Sequence, residues 1–180
     1  MQLELNTGLV DAATFIASDN CDERQNYSSP EVVIIHCISL PPGEYGGDAV
    51  VDFFCNKLDK HLHPYFKDIS HLKVSAHFYV RRSGELIQFV STHKRAWHAG
   101  ESVCLGKPVV NDFSIGIELE GLDTADDGFT DSQYRMLNNL ISCLQASYST
   151  IKTNNLFAHS DIAPGRKTDP GPYFDWDRIT

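Results

Sequence analysis

Apolar and polar positions recur with two different periods along this chain, and the changes of period mark out its elements. The first strong block is Glu31-Val-Val-Ile-Ile-His-Cys37, a β-branched run without alternation. Such a run predicts a strand buried on both faces, central in a sheet. Residues 113–120 alternate cleanly, with Phe113, Ile115, Ile117 and Leu119 on one face and Ser114, Gly116, Glu118 and Glu120 on the other. Segments 74–81 and 85–91 alternate in part, and the short Arg82-Ser-Gly84 link between them predicts a hairpin. The period then lengthens. Behind the capping-box sequence Thr130-Asp-Ser-Gln133, Tyr134, Leu137, Leu140, Ile141, Leu144 and Tyr148 recur at helical spacing and predict a helix covering one sheet face. Another helix is expected over 48–58 and a short one over 9–16.

Between these elements, residues 61–72 read as irregular, and residues 92–112 as one long loop containing Ala96-Trp-His-Ala-Gly100. A loop of that length in a compact domain is usually functional or mobile. Residues 1–30 are weakly patterned, polar and loop-like from 18 onward, and the main domain runs over 31–180. With no internal repeat, low-complexity tract or linker, the chain reads as a single α/β domain.

Composition narrows the function. At 180 residues the chain can build a full hydrophobic core without staples. Its net charge of −9 argues against nucleic acid or an anionic membrane as partner. No apolar run approaches the roughly 20 residues that span a bilayer. Met-Gln-Leu-Glu-Leu-Asn at the start carries no basic region or apolar block, so no secretory signal is read and the cytoplasm is the expected location. The five cysteines are scattered without a CxxC pair, which suits a reducing compartment.

The candidate chemistry gathers near the end, in His159-Ser-Asp-Ile-Ala-Pro-Gly-Arg-Lys-Thr-Asp-Pro-Gly171. Two prolines and two glycines make this a loop that fixes side chains, entered from the short apolar strand Leu156-Phe-Ala158. His159 and Asp169 are suitable ligands for a borderline-hard metal, and Lys167 brings a cation to the same place. A third protein ligand from elsewhere would leave one tetrahedral position of a zinc open. Among eight histidines, His36 is the candidate, because it ends the most buried strand and ligands gather beyond strand ends. His61 and His63 are interrupted by Pro64; His71, His93 and His98 show no special pattern; His77 reads as a buried imidazole with one hydrogen bond. Asp123–Gly128 lacks the residues of a calcium loop, and neither a phosphate-binding glycine loop nor a Gly-Xaa-Ser-Xaa-Gly elbow occurs. Cys37 adjoins His36 but faces the other side of the strand. Glu118 and Glu120 share a face about 7 Å apart. Glu118 follows the small residues Ser114 and Gly116, which leave room for a substrate, whereas Glu120 is expected to be solvated or to tie down the acidic loop after Gly121.

In order along the chain, Ile35-His36, Ser39-Leu-Pro-Pro-Gly-Glu-Tyr-Gly-Gly47, His63-Pro-Tyr-Phe66, Val74-Ser-Ala-His77, Arg95-Ala-Trp-His-Ala-Gly100, Asn111-Asp-Phe-Ser-Ile-Gly-Ile-Glu-Leu-Glu-Gly121 and Arg166-Lys-Thr-Asp-Pro-Gly-Pro172 closely resemble the AmpD-type N-acetylmuramoyl-L-alanine amidases. The resemblance covers nearly everything from residue 30 onward. It implies a mixed central β-sheet flanked by helices, and a zinc amidase of cytoplasmic cell-wall recycling. The bond cut would be the amide between the lactyl group of 1,6-anhydro-N-acetylmuramic acid and L-alanine. It further implies His36, His159 and Asp169 as zinc ligands, Glu118 as the proton-transferring residue and Lys167 as the oxyanion partner. Trp97, Lys73 and Cys37 are the expected substrate contacts. Two positions depart from the family pattern: Cys37 stands where asparagine is usual, and Lys73 where arginine is usual. Lysine keeps the charge but loses the bidentate fork. The expected partner is a small muropeptide, and the expected state a monomer. Two other readings fit the same fold: a muropeptide-binding module without activity, and an endolysin acting on polymeric wall.

Overall fold

Six strands form the central sheet of the computed structural model, which describes residues 1–179: β1 (Thr14–Phe15), β2 (Val32–Ile38), β3 (Phe78–Val80), β4 (Leu86–Gln88), β5 (Ser114–Glu120) and β6 (Leu156–Ala158). Their order is β6-β2-β5-β3-β4-β1. All neighbours run parallel except the β3–β4 hairpin, so the sheet is mixed. The two strands with the most apolar sequences, β2 and β5, lie side by side in the middle. There both edges of each backbone find partners and both faces can be covered.

Two helices flank the sheet, α1 (Ala49–Phe54) and α2 (Asp131–Ser147). Val33 and Ile35 of β2 and Ile115, Ile117 and Leu119 of β5 pack against Leu137, Leu140, Ile141 and Leu144 of α2. On the opposite face Val32 and Ile34 meet Val110, Phe113 and Ile162, while Val50, Val51, Phe53 and Phe54 of α1 cover Tyr79, Ile87 and Phe89. The expected capping box opens α2: Gln133 N donates to Thr130 Oγ1 (3.2 Å), and Thr130 N donates to Gln133 Oε1 (3.0 Å). The Gln133 amide also donates to the carbonyls of Val80 and Glu120, so one cap residue ties α2 to the ends of β3 and β5.

Several elements differ from the sequence expectation. The strands β3 and β4 are only 3 residues each, and residues 74–77 lie outside the ladder. Helix α1 stops at Phe54, two residues before Asn56 takes a left-handed φ of 59°. Residues 92–112 are not one open loop. Lys94–Ala96 pairs with Cys21–Glu23, Val103–Cys104 pairs with Lys107–Pro108, and Val110–Phe113 forms a 3-10 turn.

The short helix expected over 9–16 does not form. Leu9–Val10 pairs with Leu3–Glu4, and Thr14–Phe15 becomes the edge strand β1. The reason lies in Gln88, a fully buried residue of β4. Its Oε1 accepts from Val10 N (2.9 Å) and its Nε2 donates to Gly8 O (2.8 Å) and Val90 O (3.0 Å). The backbone of this segment is engaged by a distant side chain and by strand pairing, and tertiary pairing overrides local periodicity. Arg24 anchors the following segment by donating to the carbonyls of Thr92, Asn111, Asp112 and Ser114. Replacing Gln88 with leucine leaves Val10 N without its partner in a dry site. We expect Gln88→Leu to cost about 2 kcal/mol, seen as a lower urea midpoint at unchanged m-value; an unchanged midpoint would show that Gln88 does not hold the N-terminal segment.

Candidate active site

The site lies at the carboxyl ends of β2, β5 and β6, on the sheet face opposite α2. Parallel register pairs His36 with Glu118 across the central seam. The third strand delivers His159. Ala158 N donates to Asp161 Oδ2 (2.9 Å), which turns the chain from β6 straight into the helical turn His159–Ile162. The loop then closes on itself, for Ser160 N donates to the Asp169 carbonyl (3.0 Å) and so returns Asp169 beside His159. Gly171 (φ 87°) lets the chain leave: a Cβ there would lie 2.1 Å from the Asp123 carbonyl oxygen.

Three donor atoms converge. His36 Nδ1 and His159 Nδ1 are 2.9 Å apart, and each is 3.1 Å from Asp169 Oδ2. A tetrahedral zinc with ligands at 2.0–2.1 Å would set its ligand atoms about 3.3 Å apart. The triangle needs to widen by only a few tenths of an ångström to fit. Its protonation states also fit. Burial pushes His36 down to about 4, so its imidazole is neutral at neutral pH. Burial works to raise the Asp169 carboxyl, but the adjoining His159 and His36 rings outweigh it and hold the group below its ordinary value. Neutral imidazole and ionised carboxylate are the forms that bind a divalent metal.

The far sides of both rings are also engaged. His36 Nε2 lies 2.9 Å from His98 Nδ1, and His98 Nε2 lies 2.9 Å from Ser114 Oγ. His159 Nε2 donates to the Ala99 carbonyl at 3.2 Å. His98 carried no pattern in the sequence beyond its place in Ala96-Trp-His-Ala-Gly100, so its membership of this cluster is a structural finding. His77 makes more than one hydrogen bond: its Nδ1 accepts from Gly116 N (3.0 Å), its Nε2 donates to the Lys94 carbonyl (3.0 Å), and Arg24 Nη2 lies 3.3 Å from that same Nε2.

Glu118 is 9% exposed, and its Oε2 has no hydrogen-bond partner among the described residues. Burial pushes its carboxyl well above the ordinary value; the Asp169 charge adds to this, and the Lys167 charge works against it. Lys167 itself is exposed on the loop. Glu120 is not solvated as expected. It is 3% exposed and accepts from the amides of Gly46 and Arg82, so it holds the Pro/Gly loop and the hairpin end rather than the acidic loop.

The three expected substrate contacts are placed differently. Cys37 points away from His36, donates to the Pro170 carbonyl (3.7 Å), and lines a mostly apolar groove of ≈ 290 Å³ with Leu40, Tyr65, Leu72 and Val74. Lys73, exposed, stands between two of those lining residues. Trp97 does not line the groove; half-buried, it donates from Nε1 to Asp22 Oδ1 (3.0 Å), a carboxylate also gripped by Arg95. His61 and His63 lie outside the donor cluster.

Residues 26–172 match the N-acetylmuramoyl-L-alanine amidase family. The chain is 48% identical over 175 residues to the 1,6-anhydro-N-acetylmuramyl-L-alanine amidase AmpD of Citrobacter freundii, covering 97% of this chain and 92% of that protein. It is 47% identical over 175 residues to AmpD of Escherichia coli, covering 97% and 94%. The crystal structure of a selenomethionine AmpD derivative superposes with a TM-score of 0.94 at 47% identity, over 99% of this chain and 97% of that one. A complex of the E. coli amidase AmiD with the substrate anhydro-N-acetylmuramic acid-L-Ala-D-γ-Glu-L-Lys superposes with a TM-score of 0.62 at 29% identity, over 87% of this chain and 59% of that one.

The Glu118 environment has a measurable consequence. Above its ordinary value of 4.5 the unfolded chain releases this proton while the folded, metal-free protein keeps it. Stability from this group is therefore fully present at low pH and falls as pH rises from there towards the raised value. We expect Glu118→Gln to raise the Tm of metal-free protein at about pH 7.5, with the gain vanishing at about pH 4. A Tm difference independent of pH would mean that Glu118 does not titrate high.

Proposed function

The chain belongs to the N-acetylmuramoyl-L-alanine amidase family, and on that premise we propose that it is a zinc-dependent hydrolase of anhydro-muropeptides working in the cytoplasm. Its reaction splits the amide between the lactyl carbonyl of 1,6-anhydro-N-acetylmuramic acid and the L-alanine nitrogen, as a step in cell-wall recycling. The observation that carries this reading is the donor triangle of His36, His159 and Asp169 beside a buried, unpartnered Glu118. The AmpD relatives, named for this amidase activity, support the substrate class.

On this reading His36 and His159 hold zinc through Nδ1 and Asp169 through Oδ2. Zinc bound there supplies Lewis acidity and makes water a better nucleophile at neutral pH. Glu118 takes the proton of the attacking water and returns it to the alanine nitrogen as the C–N bond breaks, leaving a free lactyl carboxyl and a free amine. Its Oε2 is suited to this task because no hydrogen bond competes for the lone pair. Lys167, whose charge already acts on Glu118 and His36, faces the developing oxyanion. The groove beside Cys37 and Lys73 takes part of the stem peptide, with the Lys73 ammonium on one of its carboxylates. Trp97, its indole edge held by Asp22, is assigned to the anhydro-sugar. The enzyme acts as a monomer on a small substrate.

Metal analysis of purified protein should find one zinc per chain, and chelation should abolish hydrolysis reversibly; full activity in verified metal-free protein would refute the zinc reading. Glu118→Gln should keep zinc and fold and lose at least ~10²-fold in kcat. Glu120→Gln, which loosens two loops, should act mainly on stability. Anhydro-muropeptide should be cleaved in strong preference to intact sacculi, and the opposite preference would make the protein an endolysin-type amidase. Lys73→Ala should raise KM for peptide-bearing substrates more than it lowers kcat, as expected when binding is uniform between ground and transition states. An unchanged KM would remove Lys73 from the site.

A further inference from the structure

His98 is not one of the three clustered donors, yet it is built into the site from four directions. Its Nδ1 lies 2.9 Å from His36 Nε2, with the two rings edge to face at 83° and their centroids 5.0 Å apart. Its Nε2 lies 2.9 Å from Ser114 Oγ. Beneath the ring is Gly116, where a Cβ would come within 2.4 Å of His98 Cγ. Any other residue at position 116 would displace the imidazole. The backbone is held as firmly: Asn111 Oδ1 accepts from both His98 N (3.2 Å) and Ala99 N (2.8 Å). The Ala99 carbonyl in turn accepts from His159 Nε2 (3.2 Å) and Arg166 Nη2 (2.7 Å). The dipeptide His98-Ala99 thus reaches the far nitrogen of both histidines in the donor triangle.

We infer that His98 is a positioning residue that fixes the ring and tautomer of His36, so that the two imidazoles are preset before any metal arrives. This rests on the zinc reading, in which His36 binds through Nδ1. That nitrogen must then be bare, so the single proton of neutral His36 sits on Nε2 and is donated to His98 Nδ1. His98, accepting at Nδ1, carries its own proton on Nε2 and donates it to Ser114 Oγ. The three groups form one directed chain of hydrogen bonds ending on a hydroxyl of β5. The Ala99 carbonyl imposes the same Nε2–H tautomer on His159, because a carbonyl can only accept. Partners on the outer nitrogen of a metal-binding histidine typically carry 10–100-fold in metal affinity.

The test compares His98→Leu, which removes the acceptor, with His98→Asn, whose Oδ1 stands near the position of Nδ1 and still accepts. Zinc affinity is measured by competition with a chromogenic chelator, and the His36 tautomer by ¹⁵N NMR of the metal-free protein. We expect His98→Leu to bind zinc 10–100-fold more weakly, to lose the uniform Nε2–H signature of His36, and His98→Asn to recover most of both. Wild-type affinity in His98→Leu, or a His98→Asn variant no better than His98→Leu, would overturn the inference. If His98→Leu does not fold, Gly116→Ala takes its place, with the imidazole kept but pushed off His36; equal affinity there is likewise a refutation. Failure of the zinc reading looks different: the wild type itself binds no zinc, while the tautomer measurement still decides whether His98 governs His36.

Discussion

The parallel pairing of β2 with β5 is the constraint on which the rest depends. Seven consecutive residue pairs, Ser114↔Val32 through Glu120↔Ile38, lock together two strands that are buried along nearly their whole length. Their odd-numbered side chains make the core with α2; of the even-numbered ones, Val32 and Ile34 pack into the core of the opposite face, while His36, Ser114, Gly116 and Glu118 border the site. Because the pairing is parallel, His36 and Glu118 emerge at the same end and side by side. The chemistry is therefore a by-product of the same ladder that builds the core. The loops then complete it: the turn after β6 brings His159, the closed 159–171 segment returns Asp169, and the 98–99 dipeptide backs both rings.

The site also shows how burial sorts like groups into unlike states. Two carboxylates sit on one strand face, both less than a tenth exposed. Glu120 accepts two amide hydrogen bonds, whereas Glu118 has an oxygen with none and its carboxyl is pushed far up. Asp169, also largely enclosed, is held ionised by the two imidazoles. Sequence type is the same in kind; what differs is the number of donors each carboxylate finds.

The central strands, the capped helix and the His159–Asp169 loop were readable because each rests on local pattern, whereas His36 joined that loop only through the family resemblance and its place at a strand end. An unbroken β-branched run, a strict alternation and a Thr-Xaa-Xaa-Gln cap before a helical stripe are statements about neighbours in sequence. The failures were of another kind. The 9–16 segment has helical spacing, but Gln88, far along the chain, claims its backbone. The 92–112 stretch looks like open loop because its ladders are only two or three residues long and pair partly with residues 21–23. His98 was passed over because its meaning lies in a nitrogen of His36, 62 residues away, and in the missing side chain of Gly116. The role of Glu120 was not legible because its donors, Gly46 and Arg82, come from two other loops.

The spacing of Glu118 and Glu120 has a consequence for how the chain avoids error while folding. A slip of β5 by one residue against β2 would turn its apolar face outward and be rejected at once. A slip by two would not. Isoleucine and leucine would still face α2, and a glutamate would still stand opposite His36, but it would be the wrong one. Apolar patterning is blind to that mistake. Two features tell the registers apart: the place of Gly116 beneath the His98 ring, which Glu118 would have to fill, and the pair of amides waiting for Glu120 at Gly46 and Arg82. In the slipped strand those donors would go unanswered. Glu120 and Gly116 together therefore act as the notch on a key, marking where the strand that carries them stops.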